Sequence, residues 1–234
     1  MTAVSLPQPQ TQTQINSFLR SVYNWMAAGL GLTGVCAYYV SNNAYLLQMI
    51  LGHQLLFFGL IIAELGLVFF ISARIHKLAS STATGLFLLY SALNGVTLSA
   101  LLMVYARTTI YSAFFICAAT FVVSSIYGMI TRRDLTSFGN FLWMGLIGII
   151  IASLVNLFLH SSAVSHIISY IGVVVFTGLT AYDTQRLKAM AYNQPDQIDA
   201  GVFRKGAILG ALSLYLNFIN LFIMLLSILG SSRE

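Results

Sequence analysis

The 234-residue sequence predicts an all-α integral membrane protein, a bundle of about seven transmembrane helices. Hydrophobic residues make up 58% of the chain and charged residues only 7%, whereas a soluble domain carries roughly 25% charged residues. Mean hydropathy is +0.85, and a surface so poor in charge needs lipid as its solvent. The apolar residues also fall into runs long enough to cross about 30 Å of hydrocarbon, separated by short polar segments.

Residues 1–21 precede the first run. Pro7, Pro9 and a stretch of Gln and Thr offer few apolar groups to offset ordering entropy, so the sequence suggests a disordered cytoplasmic tail. The tail lacks the basic region and short apolar core of a cleavable leader, which makes the first run a retained anchor. The runs then cover residues 22–40, 55–73, 83–105, 110–130, 138–159, 163–182 and 206–229, and residues 231–234 form a short tail. Two of the three prolines are in the first tail and Pro195 is in a polar stretch, so the spans are expected to be continuous helices. Residues 188–205, with Asp196 and Asp199, read as a solvated cytoplasmic loop. Cys36 and Cys117 lie in apolar stretches as packing groups.

If the spans alternate, Arg20, Arg74, Lys77, Arg132, Arg133, Arg186, Lys188, Arg204 and Lys205 share one side, and only Arg107 and Arg233 take the other. The positive-inside rule places the amino terminus in the cytoplasm. An odd span count puts the carboxyl terminus outside, whereas a re-entrant last run would return it inside. The net charge of +5 is spread over these short segments, which argues against nucleic-acid binding.

An ionisable group inside a bilayer costs about 2.5 to 3.5 kcal/mol on insertion scales and therefore marks a partner or a role. Glu64 sits near the middle of the second run, and Asp183 closes the sixth. Helical spacing places Thr177, Thr180, Asp183 and Thr184 on one side of the sixth helix, and Ser213, Asn217 and Asn220 in a stripe on the seventh. Polar stripes on consecutive helices in lipid are expected to face each other or a wet cavity. Interhelical glue would account for the hydroxyls and amides but not for a carboxylate.

Other patterns carry less. Gly29-Leu-Gly31-Leu-Thr-Gly34 has dinucleotide-binding spacing but lies inside an apolar span with no preceding strand, so it reads as close helix packing. His53, His76, His160 and His166 fall near span ends and form no metal-binding motif, and no firm metal site or cofactor is expected. An aspartyl protease needs two carboxylates sharing a proton, and a retinal protein needs a lysine within its last helix; Lys205 lies only at the entrance. The chain is not expected to be an enzyme.

The strings Thr180-Ala-Tyr-Asp-Thr-Gln185, Leu212-Ser-Leu-Tyr-Leu-Asn-Phe-Ile-Asn-Leu-Phe222 and Thr131-Arg-Arg-Asp-Leu-Thr-Ser-Phe-Gly139 resemble the Bax inhibitor-1 (transmembrane BAX inhibitor motif) family, in its bacterial branch. The resemblance implies seven helices with the last one central, a location in the bacterial inner membrane, and a pH-sensitive calcium or cation leak. It further implies that Asp183 pairs with an aspartate of the last helix across a shared proton. That second position is Asn217 here, and Ser227 stands where the family tends to carry an arginine, so an acid and a base are both missing. Glu64 matches the family's second-helix glutamate on the ion path. Arg74 follows it by ten residues, which at 100° per residue is roughly 80° off its face. The resemblance also implies, for some members, a membrane-embedded interaction protein acting on a partner such as a membrane protease.

Overall fold

The computed structural model describes residues 9–193 and 199–230. These form eight helices: α1 (Pro9–Ser41), α2 (Ala44–Leu51), α3 (Gln54–Arg74), α4 (Ser80–Val104), α5 (Arg107–Ile130), α6 (Thr136–Leu159), α7 (Ser162–Tyr192) and α8 (Ala200–Gly230). No strand occurs among the described residues. Six helices, α3 to α8, are long and apolar enough to span a bilayer. α1 has the length, at 33 residues, but is not among those six; Asn24, Thr33 and three glycines dilute its apolar run. Large side chains face outward along these helices, Leu55 at 90% exposure and Phe158 at 85%. Such a surface belongs in lipid rather than water.

Several boundaries move from their sequence-based positions. α1 begins at Pro9, so residues 9–21 are helix rather than tail. The reason is a stripe of buried Ile15, Phe18, Leu19, Val22 and Met26 at helical spacing, with Phe18 edge-on to Phe203 at 5.6 Å. That burial offsets the cost of ordering the polar residues before and between them. Residues 1–8 and 231–234, with Arg233, lie outside the described residues, as do Pro195 and Asp196.

An unforeseen short helix, α2, fills the connection after α1. Asn43 caps it, its side chain accepting from the Leu46 amide at 3.2 Å. The polar loop expected over 188–205 is also shorter. α7 continues to Tyr192 with Leu187 and Ala191 buried, and α8 starts at Ala200, where Asp199 Oδ1 accepts from the amides of Gly201 (2.8 Å) and Val202 (3.1 Å). At the end of α6, His160 takes a left-handed conformation (φ 49°) and its amide donates to the Asn156 carbonyl at 2.8 Å, the stop that glycine more often supplies.

The chain divides into two compact units, Met1–Leu101 with Leu187–Leu212, and Leu102–Arg186 with Ser213–Glu234. In the first, α1 and α4 approach closely: a Cβ on Gly95 would lie 2.5 Å from the Thr33 carbonyl oxygen, and one on Gly29 would meet the Phe87 ring at 2.6 Å. The Thr33 hydroxyl is 2.9 Å from the Gly29 carbonyl and 2.8 Å from that of Ser91. Of the three glycines in the α1 motif only Gly29 is used this way; Gly31 and Gly34 have open space beside them. At one end of this unit the Arg204 guanidinium lies 5.3 Å from the centroid of the Trp25 ring and donates to Thr84 Oγ1 at 3.1 Å.

In the second unit, α5, α6 and the first part of α7 pack through small residues. A Cβ on Gly128 would stand 2.3 Å from the Ala181 carbonyl oxygen, and one on Gly139 would stand 2.5 Å from the Tyr182 ring. Phe218 of α8 meets Phe121 at 5.5 Å and Phe114 at 5.9 Å, and Cys117 donates its thiol to the Phe218 carbonyl at 3.5 Å. Between α5 and α6, Asp134 Oδ1 accepts from the Thr136 hydroxyl at 2.6 Å and its amide at 2.9 Å, which hold the exposed Asp134 carboxyl below its ordinary range. The small stabilisation this gives is present above about pH 4 and is lost as pH falls through the lowered value.

Candidate functional site

In the second unit, Asp183 is 4% exposed on α7, one turn from the fully buried Thr180. From α8, Ser213 Oγ and Asn217 Nδ2 each donate to Asp183 Oδ2 at 2.7 Å. Three residues of the two stripes therefore meet at one carboxylate oxygen. Two further members turn elsewhere: Thr180 donates to the Phe176 carbonyl at 2.8 Å and Asn220 to the Leu216 carbonyl at 2.8 Å, each one turn back on its own helix. Further along the same two helices Ser169 donates to Ser227 at 3.0 Å, so Ser227 belongs to a neutral polar contact.

Two buried hydroxyls in this unit, Ser125 Oγ on α5 and Thr177 Oγ1 on α7, have no hydrogen-bond partner among the described residues. An unsatisfied buried hydroxyl costs about 1 to 3 kcal/mol, so removing one is not expected to destabilise the fold. Ser125→Ala should leave the melting temperature in detergent unchanged or raise it, and a clear fall would show that the hydroxyl has a partner after all.

The other buried acid among the described residues, Glu64 of α3, lies in the first unit and is 8% exposed. Asn94 Nδ2 of α4 donates to its Oε2 at 3.1 Å, and the Thr97 hydroxyl donates to its Oε1. Neither partner was singled out from sequence, although a polar pair three apart in the apolar run 83–105 is the same signal that marked α7 and α8. Arg74 stands exposed in the last turn of α3, about 15 Å of helix away from Glu64. The four histidines lie at or near helix ends, His53 before α3, His76 after it, His160 after α6 and His166 in the first turns of α7.

Two carboxylates buried in apolar helices, each held by neutral donors from a neighbouring helix, define a polytopic membrane protein with polar sites inside its spans. The family described as Inhibitor of apoptosis-promoting Bax1 matches residues 15–234. Inner membrane protein YbhL of Escherichia coli (strain K12) is 49% identical over 229 residues, covering 98% of this chain and 97% of its own. An uncharacterized protein of Borreliella burgdorferi is 46% identical over 232 residues, covering 99% of each chain. One of Deinococcus radiodurans is 41% identical over 234 residues, covering 100% of this chain and 98% of its own. The chain belongs to the Bax inhibitor-1 family.

Proposed function

We propose that the protein is a pH-sensitive leak for calcium or other cations across a bacterial inner membrane, neither enzymatic nor dependent on a cofactor. The observation that supports this most is Asp183, a buried carboxylate on an apolar helix that accepts from Ser213 and Asn217 and is neutralised when it takes up a proton. In this reading α1 is the seventh span, α8 is the central helix, and the positive-inside bias sets the amino terminus in the cytoplasm. Asp183 and Asn217 form the constriction, and Glu64 with Asn94 and Thr97 supplies oxygen ligands on the route. Calcium takes six to eight oxygens in a tight site, and so few carboxylates bind it weakly, which suits an ion that must leave again.

The test is calcium influx into liposomes holding the purified protein, at mildly acidic and mildly alkaline pH. Asp183→Ala should abolish the difference between the two conditions. Proton-sensitive flux that survives in this variant would sink the assignment.

One observation favours a second reading. Both acids accept hydrogen bonds from neutral donors, and position 217 carries an amide that cannot ionise, an arrangement that also suits structural glue. The protein would then be a membrane-embedded interaction protein acting on a partner such as a membrane protease. A stoichiometric membrane partner that copurifies, with no flux from the isolated protein, would decide for it.

A further inference from the structure

One turn of α7 is held from three directions. The Tyr182 ring covers Gly139 at the start of α6, where a Cβ would lie 2.5 Å from two ring carbons. Asp183 reaches Ser213 and Asn217 of α8. Gln185 grips the backbone between α5 and α6 with both ends of its amide: Oε1 accepts from the Leu135 amide at 2.9 Å, and Nε2 donates to the Arg133 carbonyl at 2.8 Å. At 100° per residue Gln185 and Asp183 leave the helix about 200° apart, so a bond at one opposes the rotation that would disengage the other.

We propose that Gln185 is the positioning residue of the Asp183 site: by clamping residues 133 and 135 it sets the rotation of this turn and so aims the Asp183 carboxylate at Ser213 and Asn217. The segment it holds carries the exposed side chains of Arg132, Arg133 and Asp134, so a ligand that pulls on this charged loop acts on the buried carboxylate through Gln185. The consequence for ion flux rests on the leak reading above; the aiming of the carboxylate does not.

The test compares Gln185→Leu, which removes both bonds at similar volume, with Gln185→Glu, which keeps the acceptor for Leu135 and loses the donor to Arg133. Two quantities are read in micelles: amide hydrogen exchange over residues 131–139, and the side-chain amide resonance of Asn217. Gln185→Leu should speed exchange roughly 30-fold, as expected for two hydrogen bonds, and displace or broaden the Asn217 signal; Gln185→Glu should do the same more weakly, by roughly fivefold in exchange. Arg133→Ala, which leaves the backbone carbonyl in place, should change neither. Faster exchange with an unmoved Asn217 signal in both variants would overturn the proposal, since Gln185 would then pin only its loop. Should Gln185→Leu fail to fold, Gln185→Glu still reads both quantities. In liposomes Gln185→Leu should lower calcium flux at least about fivefold. If no chain, parent included, carries flux, the leak reading fails while the Asn217 signal still decides the role of Gln185.

Discussion

Gly128→Ala is expected to cost about 3 kcal/mol or more, read as a fall in melting temperature of the detergent-solubilised protein. The added Cβ would stand 2.3 Å from the Ala181 carbonyl oxygen, 3.0 Å from its carbonyl carbon and 3.1 Å from its Cα. All three are backbone atoms of a helix, so no rotamer change relieves the clash and α5 must move off α7. Gly172 makes the useful contrast, since its Cβ would meet only Met224 side-chain atoms at 2.8 Å, and an unbranched thioether can swing away. Gly31→Ala, with nothing within 4 Å, should be neutral or slightly stabilising through helix propensity. A Gly128→Ala protein as stable as the Gly31→Ala protein would refute the close approach of the two helices. Ala181 is two residues from Asp183, so flux in the Gly128 variant should fall along with stability.

The largest functional change is expected from Asn217→Asp. The amide nitrogen now stands 2.7 Å from Asp183 Oδ2 and donates to it. A second carboxylate at that separation cannot be ionised together with the first, so the pair must hold a proton between them. Losing that proton sets two like charges against each other across the α7 and α8 contact, which an amide never does. The variant should show a calcium leak that changes more steeply between mildly acidic and mildly alkaline liposomes than the leak of the parent chain, whose gating is weakened by the neutral amide. If both chains behave like empty vesicles at either pH, the leak is abandoned and the interaction-protein reading gains.

The six helices long and apolar enough to cross lipid, α3 to α8, were legible because their apolar runs exceed the thickness of hydrocarbon, and only their ends moved. The start of α1 was not, because the Gln and Thr run before Ile15, and Asn16, Ser17, Arg20 and Ser21 between Ile15, Phe18, Leu19 and Val22, make the segment polar on average while leaving the helical stripe intact. Periodicity, rather than composition, would have found it. Asp183 and its stripe stood out because a carboxylate in such a run has few explanations. Which stripe members meet was not readable, since the period of one helix does not say which hydroxyl turns to a neighbour and which returns to its own backbone. Asn94 and Thr97 gained meaning only when α4 was placed beside Glu64. Gln185 is a polar residue near the end of a long helix, unremarkable in sequence until both ends of its amide are seen to be engaged.

Thr180 and Asn220 each give their proton to a carbonyl one turn back, and Ser213 and Asn217 give theirs to Asp183. The hydroxyls then have only oxygen lone pairs left to offer, and each amide offers its oxygen together with a second N–H. A metal cation shedding water would find replacement oxygens in this seam without displacing any of these bonds, whereas a chloride would have only the second N–H of each amide and the Thr177 hydroxyl to receive it. Preference for positive over negative ions would then be set by the direction in which hydroxyl and amide hydrogens point, with formal charge in a supporting role.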